Sequence, residues 1–384
     1  MANYDDFFPN KIATGDAFCN RKNELGFLNE NINLCRNIVI YSPRRYGKTS
    51  LVMKSVEDAN VIYCCIDLFL AHDEAMISKR ILKGISTIIS QLEKPTEKFV
   101  TYVKGLFKNF KVSVNFQEIQ IEGAFLERPS DHVDLIFDSL SILDEITRDK
   151  NKKVVMFFDE FQDISNAASS KSIQGAIRNI AQSSKNIVFI FSGSYRHLLA
   201  EMFDDKTMPL YMSCDKLYLE RIKSEEYKLH INRFSLKKWN VELNEIALEQ
   251  ILKLTECHAF YINMLCNALF KYDKIPTRDE INAVWNNCVE SEKRRFISDL
   301  DGLTVNQQDI LRLTAVYEPK EPQGSNFLLK SKKSSTTVRQ CIEVLIKKDF
   351  IYRVESIDEG MKWIELGSIR VLDPLFATFL RKLS

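Results

Sequence analysis

The sequence Gly47-Lys48-Thr49 stands a few residues after a short apolar run at 37–41. A loop that begins a helix directs free backbone N–H groups at an anion, and the helix dipole adds positive charge. In this context the Lys48 amine contacts nucleotide phosphates and the Thr49 hydroxyl binds Mg²⁺. The pattern predicts a phosphate-binding loop (P-loop). Its predicted binding residues are Ser42, Pro43, Arg44, Arg45, Tyr46, Gly47, Lys48, Thr49 and Ser50.

The loop departs from the usual phosphate-binding pattern at its first position, where Ser42 stands in place of glycine. If the backbone there had to be left-handed, a serine would cost about 1 kcal/mol. Many such loops do not need that conformation at this position, so we expect Ser42 to be tolerated. Gly47 allows the backbone to approach the phosphates closely.

An apolar run at 154–158 ends in two acidic residues, Asp159 and Glu160. The carboxyl ends of parallel strands are where ligands bind in open α/β sheets. We predict that Asp159 holds Mg²⁺ and that Glu160 orients and polarises the attacking water. The pair could instead cap the next helix, but its combination with the P-loop favours nucleotide hydrolysis.

A third apolar run, at 187–191, ends in Ser192. A polar side chain at this point is expected to lie between the two motifs and to sense the γ-phosphate. We therefore add Ser192 to Lys48 and Glu160 as a predicted catalytic residue. The alternative is that the serine serves only the turn at the end of the strand.

Apolar runs alternate with helical patterns in the first part of the chain, which predicts a parallel sheet covered on both faces. A period-2 pattern at 112–121 predicts an inserted hairpin, as a lid, a partner surface or an extension of the sheet. The candidate strands are 37–41, 60–68, 153–158, 187–191 and 215–219, and the main candidate helices are 49–57, 74–92 and 131–148.

The strand pattern stops near residue 222, and we predict three domains: a P-loop core at 1–222, a helical lid at 223–300 and a winged helix at 301–384. The last domain is inferred from two helices followed by a β-hairpin. Its predicted elements are helices at 305–317 and 334–347 and strands at 350–354 and 362–366.

The predicted second helix of the last domain lies in a locally basic segment. Outward-facing cations there could contact the phosphates of duplex DNA. The alternatives are a solvated basic face or a surface for protein contacts. The candidate DNA-contact residues are Lys330, Lys332, Lys333 and Arg339.

Bulk composition is that of an ordinary globular protein, with 45% hydrophobic and 27% charged residues. The net charge of +1 excludes nucleic-acid binding by the overall charge. The nine cysteines form no CxxC pair, which favours reduced thiols in a cytoplasmic protein over disulfides or zinc. We expect no signal peptide and no membrane span, because the apolar runs are far too short.

With these motifs in view, the chain resembles the prokaryotic archaeal-type ATPases, within the AAA+ and STAND-like P-loop proteins. The resemblance implies an α/β P-loop NTPase core with a parallel sheet, a helical lid and a C-terminal winged helix. It also implies that Phe18 and Arg21 lie near the adenine base, although FxxRxxEL could equally be helix packing. The matching motifs are FxxRxxEL (18–25), SPRRYGKTSL (42–51), FFDEFQ (157–162), IFSGS (190–194), HAFYINMLC (258–266) and DPLFATFLR (373–381).

Two departures from the family limit what the resemblance implies. Family members often have proline where Ala259 stands, and often have an arginine shortly after the Pro-Leu-Tyr sequence that ends here at Tyr211. Such an arginine, acting in trans, is worth about 10³–10⁵ in rate, so its absence predicts slow turnover. Other candidates for that role are Arg196, Arg221 and Arg233.

Three functions fit the sequence. The first is a slow ATPase that acts as a nucleotide-dependent switch, controlling how the lid and winged helix are presented to a partner. The alternative is an ATP-dependent DNA-binding initiator or loader that oligomerises on DNA. A scaffold that binds ATP without hydrolysis is the third, and the intact Glu160 argues against it. The expected partners are ATP or ADP, Mg²⁺, and either duplex DNA, another protein or a second copy of the chain.

Overall fold

The computed structural model describes residues 7–108, 110–115, 118–123, 129–356 and 358–383. These residues form two compact units. The first unit contains 21–44 and 48–220, and the second contains the described residues up to Asn20 together with 45–47 and 221–383. Parts of the predicted segments at 1–6, 116–117 and 357 lie outside the described residues. The division into three domains stays a prediction.

Strands and helices alternate in the first unit, and helices dominate the second. The strands are β1 (Ile38–Tyr41), β2 (Ile62–Asp67), β3 (Phe110–Asn115), β4 (Glu118–Gly123), β5 (Val154–Asp159), β6 (Ile187–Gly193), β7 (Asp215–Tyr218), β8 (Ile351–Arg353) and β9 (Ile369–Val371). The helices are α1 (Lys22–Asn33), α2 (Lys48–Asp58), α3 (Glu74–Leu92), α4 (Glu97–Leu106), α5 (Pro129–Asp149), α6 (Ser170–Ser183), α7 (Arg196–Asp204), α8 (Ser224–Trp239), α9 (Glu245–Thr255), α10 (Ala259–Leu269), α11 (Arg278–Asp301), α12 (Val305–Tyr317), α13 (Ser325–Ser331), α14 (Ser335–Lys347) and α15 (Pro374–Lys382).

A five-stranded parallel sheet with the strand order β2-β5-β6-β1-β7 forms the centre of the first unit. Every residue of β1 and β6 is buried, as the uninterrupted apolar runs predicted for strands covered on both faces. The predicted α/β fold with a parallel sheet is confirmed. The order places β6 between β1, which leads into the P-loop, and β5, which ends in the acidic pair.

The inserted hairpin, β3 and β4, forms a separate antiparallel sheet. It attaches to α3 through two serine hydroxyls, because Ser90 Oγ accepts a hydrogen bond from the Ile119 amide at 2.8 Å and Ser86 Oγ accepts one from the Ile121 amide at 3.1 Å. The hairpin is therefore an attachment to a helix, and the interpretation of 112–121 as an extension of the main sheet is wrong.

Helix α3 lies against β2 with a glycine at the point of closest approach. Its isoleucines at 77, 81, 85 and 88 are fully buried, which explains the helical spacing of apolar residues in this segment. A Cβ atom added at Gly84 would lie 2.6 Å from Ile66 Cγ1 and 3.1 Å from Cys64 Sγ. The glycine thus permits the helix to approach the strand.

The C-terminal part of the second unit has the element order of a winged helix, α12-α13-α14-β8-β9. The predicted strand at 362–366 is wrong, because β9 is Ile369–Val371 and pairs with β8. The segment forms turns instead, in which Ile364 is buried and its amide donates to the carbonyl of the preceding Met361. Helix α13 was not predicted, because its segment of seven residues is too short for a clear helical period.

A network of ion pairs with a buried centre joins five segments of the second unit. Glu256 accepts hydrogen bonds from Arg221 at 2.6 Å and from Arg370 at 2.7 Å. Arg370 also pairs with Glu318, which in turn pairs with Arg381 at 2.7 Å. Burial alone would raise the pKa of Glu256, but the two arginines outweigh it and hold the pKa below its ordinary value. The carboxylate is therefore charged inside the protein, with both oxygens paired.

We predict opposite effects for alanine at two helical glycines of the first unit. Gly84→Ala should destabilise by about 1–3 kcal/mol, because the methyl group has no room against Ile66. Gly175→Ala, in α6, meets nothing within 4 Å and should stabilise by up to about 1 kcal/mol through helix propensity. Thermal unfolding of the two variants of the full chain measures both effects. A Gly84→Ala variant as stable as Gly175→Ala would contradict the packing described.

Candidate functional site

The P-loop joins β1 to α2, and its backbone is left-handed at Arg45 (φ 64°) and Gly47 (φ 88°). Ser42 is not left-handed, and its hydroxyl donates to the Pro43 carbonyl at 2.9 Å. The serine is therefore unstrained at the position where glycine is usual. At Gly47 the left-handed backbone itself favours glycine. Lys48 is buried, and its Nζ donates to the Pro43 carbonyl at 3.3 Å.

The carboxylate of Asp159, at the end of β5, lies between two hydroxyl groups. Thr49 Oγ1 donates to Asp159 Oδ2 at 2.8 Å, and Ser192 Oγ donates to Oδ1 at 2.6 Å. The backbone N–H of Glu160 also donates to Oδ1, at 3.1 Å. A carboxylate and a hydroxyl are hard oxygen ligands, and Mg²⁺ in nucleotide sites takes one or two protein oxygens besides phosphate and water. The donor set of Thr49 and Asp159 thus fits Mg²⁺.

Glu160 is held by three donors on one carboxylate oxygen. Its Oε2 accepts from Gln162 Nε2 at 2.7 Å, from the Ser194 amide at 3.1 Å and from Ser194 Oγ at 2.7 Å. Burial raises the pKa of Glu160, but these hydrogen bonds and the charge of Lys48 outweigh it, so the pKa lies below the ordinary value. The side chain is therefore ionised at neutral pH and can act as a base.

Sequence reasoning missed two residues of this site, Gln162 and Ser194. Both stand two positions after a predicted site residue, Glu160 and Ser192 respectively, and both lie in motifs that were recognised. The polar residue two positions after each predicted site residue was the signal that could have identified them. Arg44 joins the same group, because its Nε donates to Ser194 Oγ at 3.1 Å.

The remaining predicted binding residues lie outside this group. Arg21 is buried at the start of α1 and pairs with Glu24 at 2.8 Å, and Ser50 lies in the first turn of α2. Within the second unit, the Arg45 guanidinium lies over a phenylalanine ring and the Tyr46 hydroxyl accepts from Arg221 Nε at 3.2 Å. The proposed role of Arg21 near adenine stays a prediction, as do the roles of the other site residues.

The arginines considered for an activating role are engaged with neighbours of their own. Arg221 is part of the buried ion network described above, and Arg233 donates to the Asp16 carbonyl and lies 3.3 Å from His230 Nδ1. Arg196 begins α7. Met212, directly after Tyr211, is 73% exposed. A residue that acts in trans must reach another molecule, which the buried Arg221 could do only by leaving Glu256.

Several of the candidate DNA-contact residues are paired within the second unit. Lys330 Nζ lies 3.5 Å from the centre of the Tyr317 ring, and Lys333 Nζ lies 2.9 Å from Asp309 Oδ2. Arg339 pairs loosely with Glu343 at 3.6 Å. Lys332, in contrast, is exposed at the end of α13 in a left-handed conformation. The basic face is thus partly neutralised.

The loop between β8 and β9, which would be the wing, is acidic. It contains Glu355, Asp358, Glu359 and Glu365 against a single cation, Lys362, among its described residues. Asp358 Oδ2 accepts from the backbone N–H of Ser224 at 2.6 Å, which holds the loop to the start of α8. A negatively charged wing repels the phosphate backbone. Any DNA contact of this domain therefore falls to α13 and α14.

No protein-family model matches the sequence, and neither does any curated protein. The structure, however, matches solved structures over nearly its whole length. A Walker-type ATPase of Pyrococcus abyssi has a TM-score of 0.66 and 18% identity, with 95% of this chain and 97% of that chain covered. The ORC2 protein of Aeropyrum pernix, in its ADPNP–ADP complexes, has a TM-score of 0.57 and 17% identity over 99% and 96%.

These comparisons define the class of fold. The chain has the fold of archaeal Walker-type P-loop ATPases, and the expectation drawn from its motifs is confirmed at that level. None of the helices in the described ranges is long and apolar enough to cross a membrane.

We predict that Gly193→Ala lowers the rate of the proposed ATP hydrolysis without unfolding the protein. A Cβ there would lie 2.0 Å from Gln162 Oε1, so the flexible amide must move and release Glu160. A misplaced catalytic group costs on the order of 10-fold or more in rate. Single-turnover rates of Gly193→Ala, Gln162→Ala and the double variant measure the effect. A double variant much slower than either single one would show that Gly193 acts by another route.

Proposed function

We propose that this chain is a Mg²⁺-dependent ATPase with slow turnover, and that it acts as a nucleotide-dependent switch of the archaeal-type ATPase family that its motifs resemble. The observation that carries the proposal is the 2.8 Å contact between Thr49 Oγ1 and Asp159 Oδ2, with Glu160 beside it. The fold supports it, since it is shared with a Walker-type ATPase and with a protein solved in ADPNP–ADP complexes.

In the proposed binding step, the P-loop contributes backbone N–H groups and one buried amine. The first turn of α2, which begins at Lys48, would direct backbone N–H groups and the positive end of the helix dipole at the phosphates. The Lys48 amine donates to a neutral carbonyl in this structure, and an anionic phosphate would attract its positive charge more strongly.

In the proposed hydrolysis, four residues share three tasks. Thr49 and Asp159 would hold Mg²⁺, which neutralises the negative charge that develops on the phosphates. Glu160 orients a water molecule and accepts its proton, for which an ionised carboxylate is required. Ser192 keeps Asp159 in place through its 2.6 Å hydrogen bond.

Slow turnover and the role of a switch are inferred from the arginines. No arginine follows Tyr211 directly, and Arg221 is buried against Glu256. An ATPase without an activating arginine loses about 10³–10⁵ in rate, which suits a protein that holds its nucleotide for long periods. In this proposal the bound nucleotide determines how the lid and the winged helix are presented to a partner.

A second candidate function is an ATP-dependent DNA-binding initiator or loader that oligomerises on DNA. The winged-helix order of elements and the exposure of Lys332 and Arg339 favour it. The acidic wing and the internal pairing of Lys330 and Lys333 count against it. We therefore rank it below the switch.

We predict that Lys48 and Glu160 separate binding from turnover. Lys48→Ala should weaken ATP binding by about 10- to 100-fold, because a charge-assisted hydrogen bond is worth about 1.5–3 kcal/mol. Glu160→Gln should keep the affinity and lose about 10²–10⁴ in turnover. Fluorescent-nucleotide titration and phosphate release measure the two quantities.

The matched control for this pair is Lys54→Ala, which removes an amine from the same helix. Lys54 pairs with Asp58 at 2.6 Å, away from the P-loop motif, so its removal should change neither affinity nor turnover. Undetectable ATP binding by the folded wild-type chain, or full turnover by Glu160→Gln, would refute the proposed ATPase.

We predict that any binding to duplex DNA depends on salt through a few cations of α13 and α14. Lys332→Ala combined with Arg339→Ala should reduce the slope of log affinity against log salt by about 2. Lys293→Ala on α11, which is also exposed, should leave the slope unchanged. Absence of binding to any duplex at low salt would eliminate the second candidate function.

A further inference from the structure

We propose that Arg44, a residue of the P-loop, acts through the hydroxyl of Ser194 to position Glu160. This inference rests on the proposed ATPase function and deepens it, by assigning two positioning residues to the hydrolytic step. Neither residue is one of the metal-binding or water-activating groups described above. Together with Glu160 they form a continuous chain of hydrogen bonds, which we call the Arg44 relay.

The direction of the Arg44 relay follows from the chemistry of its three groups. A guanidinium can only donate hydrogen bonds, and an ionised carboxylate can only accept them. The 3.1 Å contact from Arg44 Nε must therefore place a lone pair of Ser194 Oγ on the arginine. The single hydroxyl hydrogen of Ser194 is then left for Glu160 Oε2 at 2.7 Å. The arginine thus selects one of the orientations that the serine hydroxyl could adopt.

The Arg44 relay has an exposed arginine at one end and a buried serine in its middle. The Arg44 guanidinium carbon lies 4.5 Å from the centre of the Tyr195 ring, a cation–π contact with the residue next to Ser194. Ser194 is 1% exposed, directly after the end of β6. Water therefore has little access to compete for the serine hydroxyl, and hydrogen bonds in such surroundings strengthen one another.

The Glu160 carboxylate is held through only one of its two oxygens. Three donors, from Gln162 and from the amide and hydroxyl of Ser194, converge on Oε2. The water molecule is then activated by the other oxygen, Oε1, in a single orientation of the group. Only one of the five N–H donors of a guanidinium is used on Ser194, so Arg44 has donors for an anion in the same loop. The Arg44 relay thereby connects the phosphate-binding loop to the base.

Single-turnover ATP hydrolysis with excess Mg²⁺, measured together with nucleotide affinity, tests the Arg44 relay. Ser194→Ala removes one of the three donors to Oε2 and should lower the single-turnover rate about 10-fold. Its nucleotide affinity should stay within about 2-fold of wild type, because the hydroxyl acts on Glu160. Ser194→Thr keeps the hydroxyl and should restore the rate. A loss of rate that threonine does not restore would show that the serine has only a structural role.

The arginine is tested by a double-mutant cycle with Ser194. Arg44→Ala should lower the single-turnover rate as Ser194→Ala does, and the double variant should lower it no further, because both residues act through one hydrogen-bond chain. Lys54→Ala removes a cation of α2 that pairs with Asp58, so its rate should stay at the wild-type value.

These measurements distinguish failure of the Arg44 relay from failure of the proposed ATPase function on which it rests. If the wild-type chain does not hydrolyse ATP at any pH, the ATPase proposal fails and the relay fails with it. If the wild type hydrolyses ATP but Ser194→Ala keeps the wild-type rate, or Ser194→Thr does not restore a lost rate, only the relay is wrong. The same holds if Arg44→Ala adds its full effect to that of Ser194→Ala.

Discussion

The position of the Asp159 carboxylate between two hydroxyl groups depends on the order of strands in the central sheet. Because β6 lies between β1 and β5, the side chain that ends β6 reaches Asp159 from one side, and Thr49 on α2 reaches it from the other. A one-residue shift in the pairing of β5 with β6 would turn each side chain to the opposite face. The buried aromatic rings of Phe158 and Phe191, stacked 5.5 Å apart, oppose such a shift.

The backbone of Glu160, directly after this carboxylate, is strained. Glu160 is left-handed, with φ of 51°, although it is not glycine. Such conformations cost about 1–2 kcal/mol each and persist only where neighbouring contacts fix them. For Glu160 the fixing contacts are the donors from Gln162 and Ser194. The same contacts that hold the base therefore also hold the strained turn after β5.

The sequence predicted the helices and strands that have a regular apolar pattern, and it missed contacts between residues that are far apart in the chain. Helix α12 begins and ends at the predicted residues, and β1 and β5 agree with their predicted runs to within one residue, because uninterrupted apolar runs and helical spacing are local signals. The site around Glu160 was only half visible. Its motif indicated the acidic pair, whereas the role of Ser194 depends on a residue 34 positions away in the chain. The strand at 362–366 was predicted wrongly, because the fold places the apolar residues of this segment in and beside turns.

The ion network of the second unit limits which parts of that unit can move in a switch. Glu256 and Arg370 are 3% and 4% exposed, and removing one partner of such a buried pair costs about 3–5 kcal/mol. A motion that separated α9 from β9 would expose or unpair these charges. The pairs of Glu318 extend the same constraint to α12 and α15. The elements that carry these residues or end beside them, α9, α12, β9 and α15, are therefore expected to move together in any conformational change of the second unit.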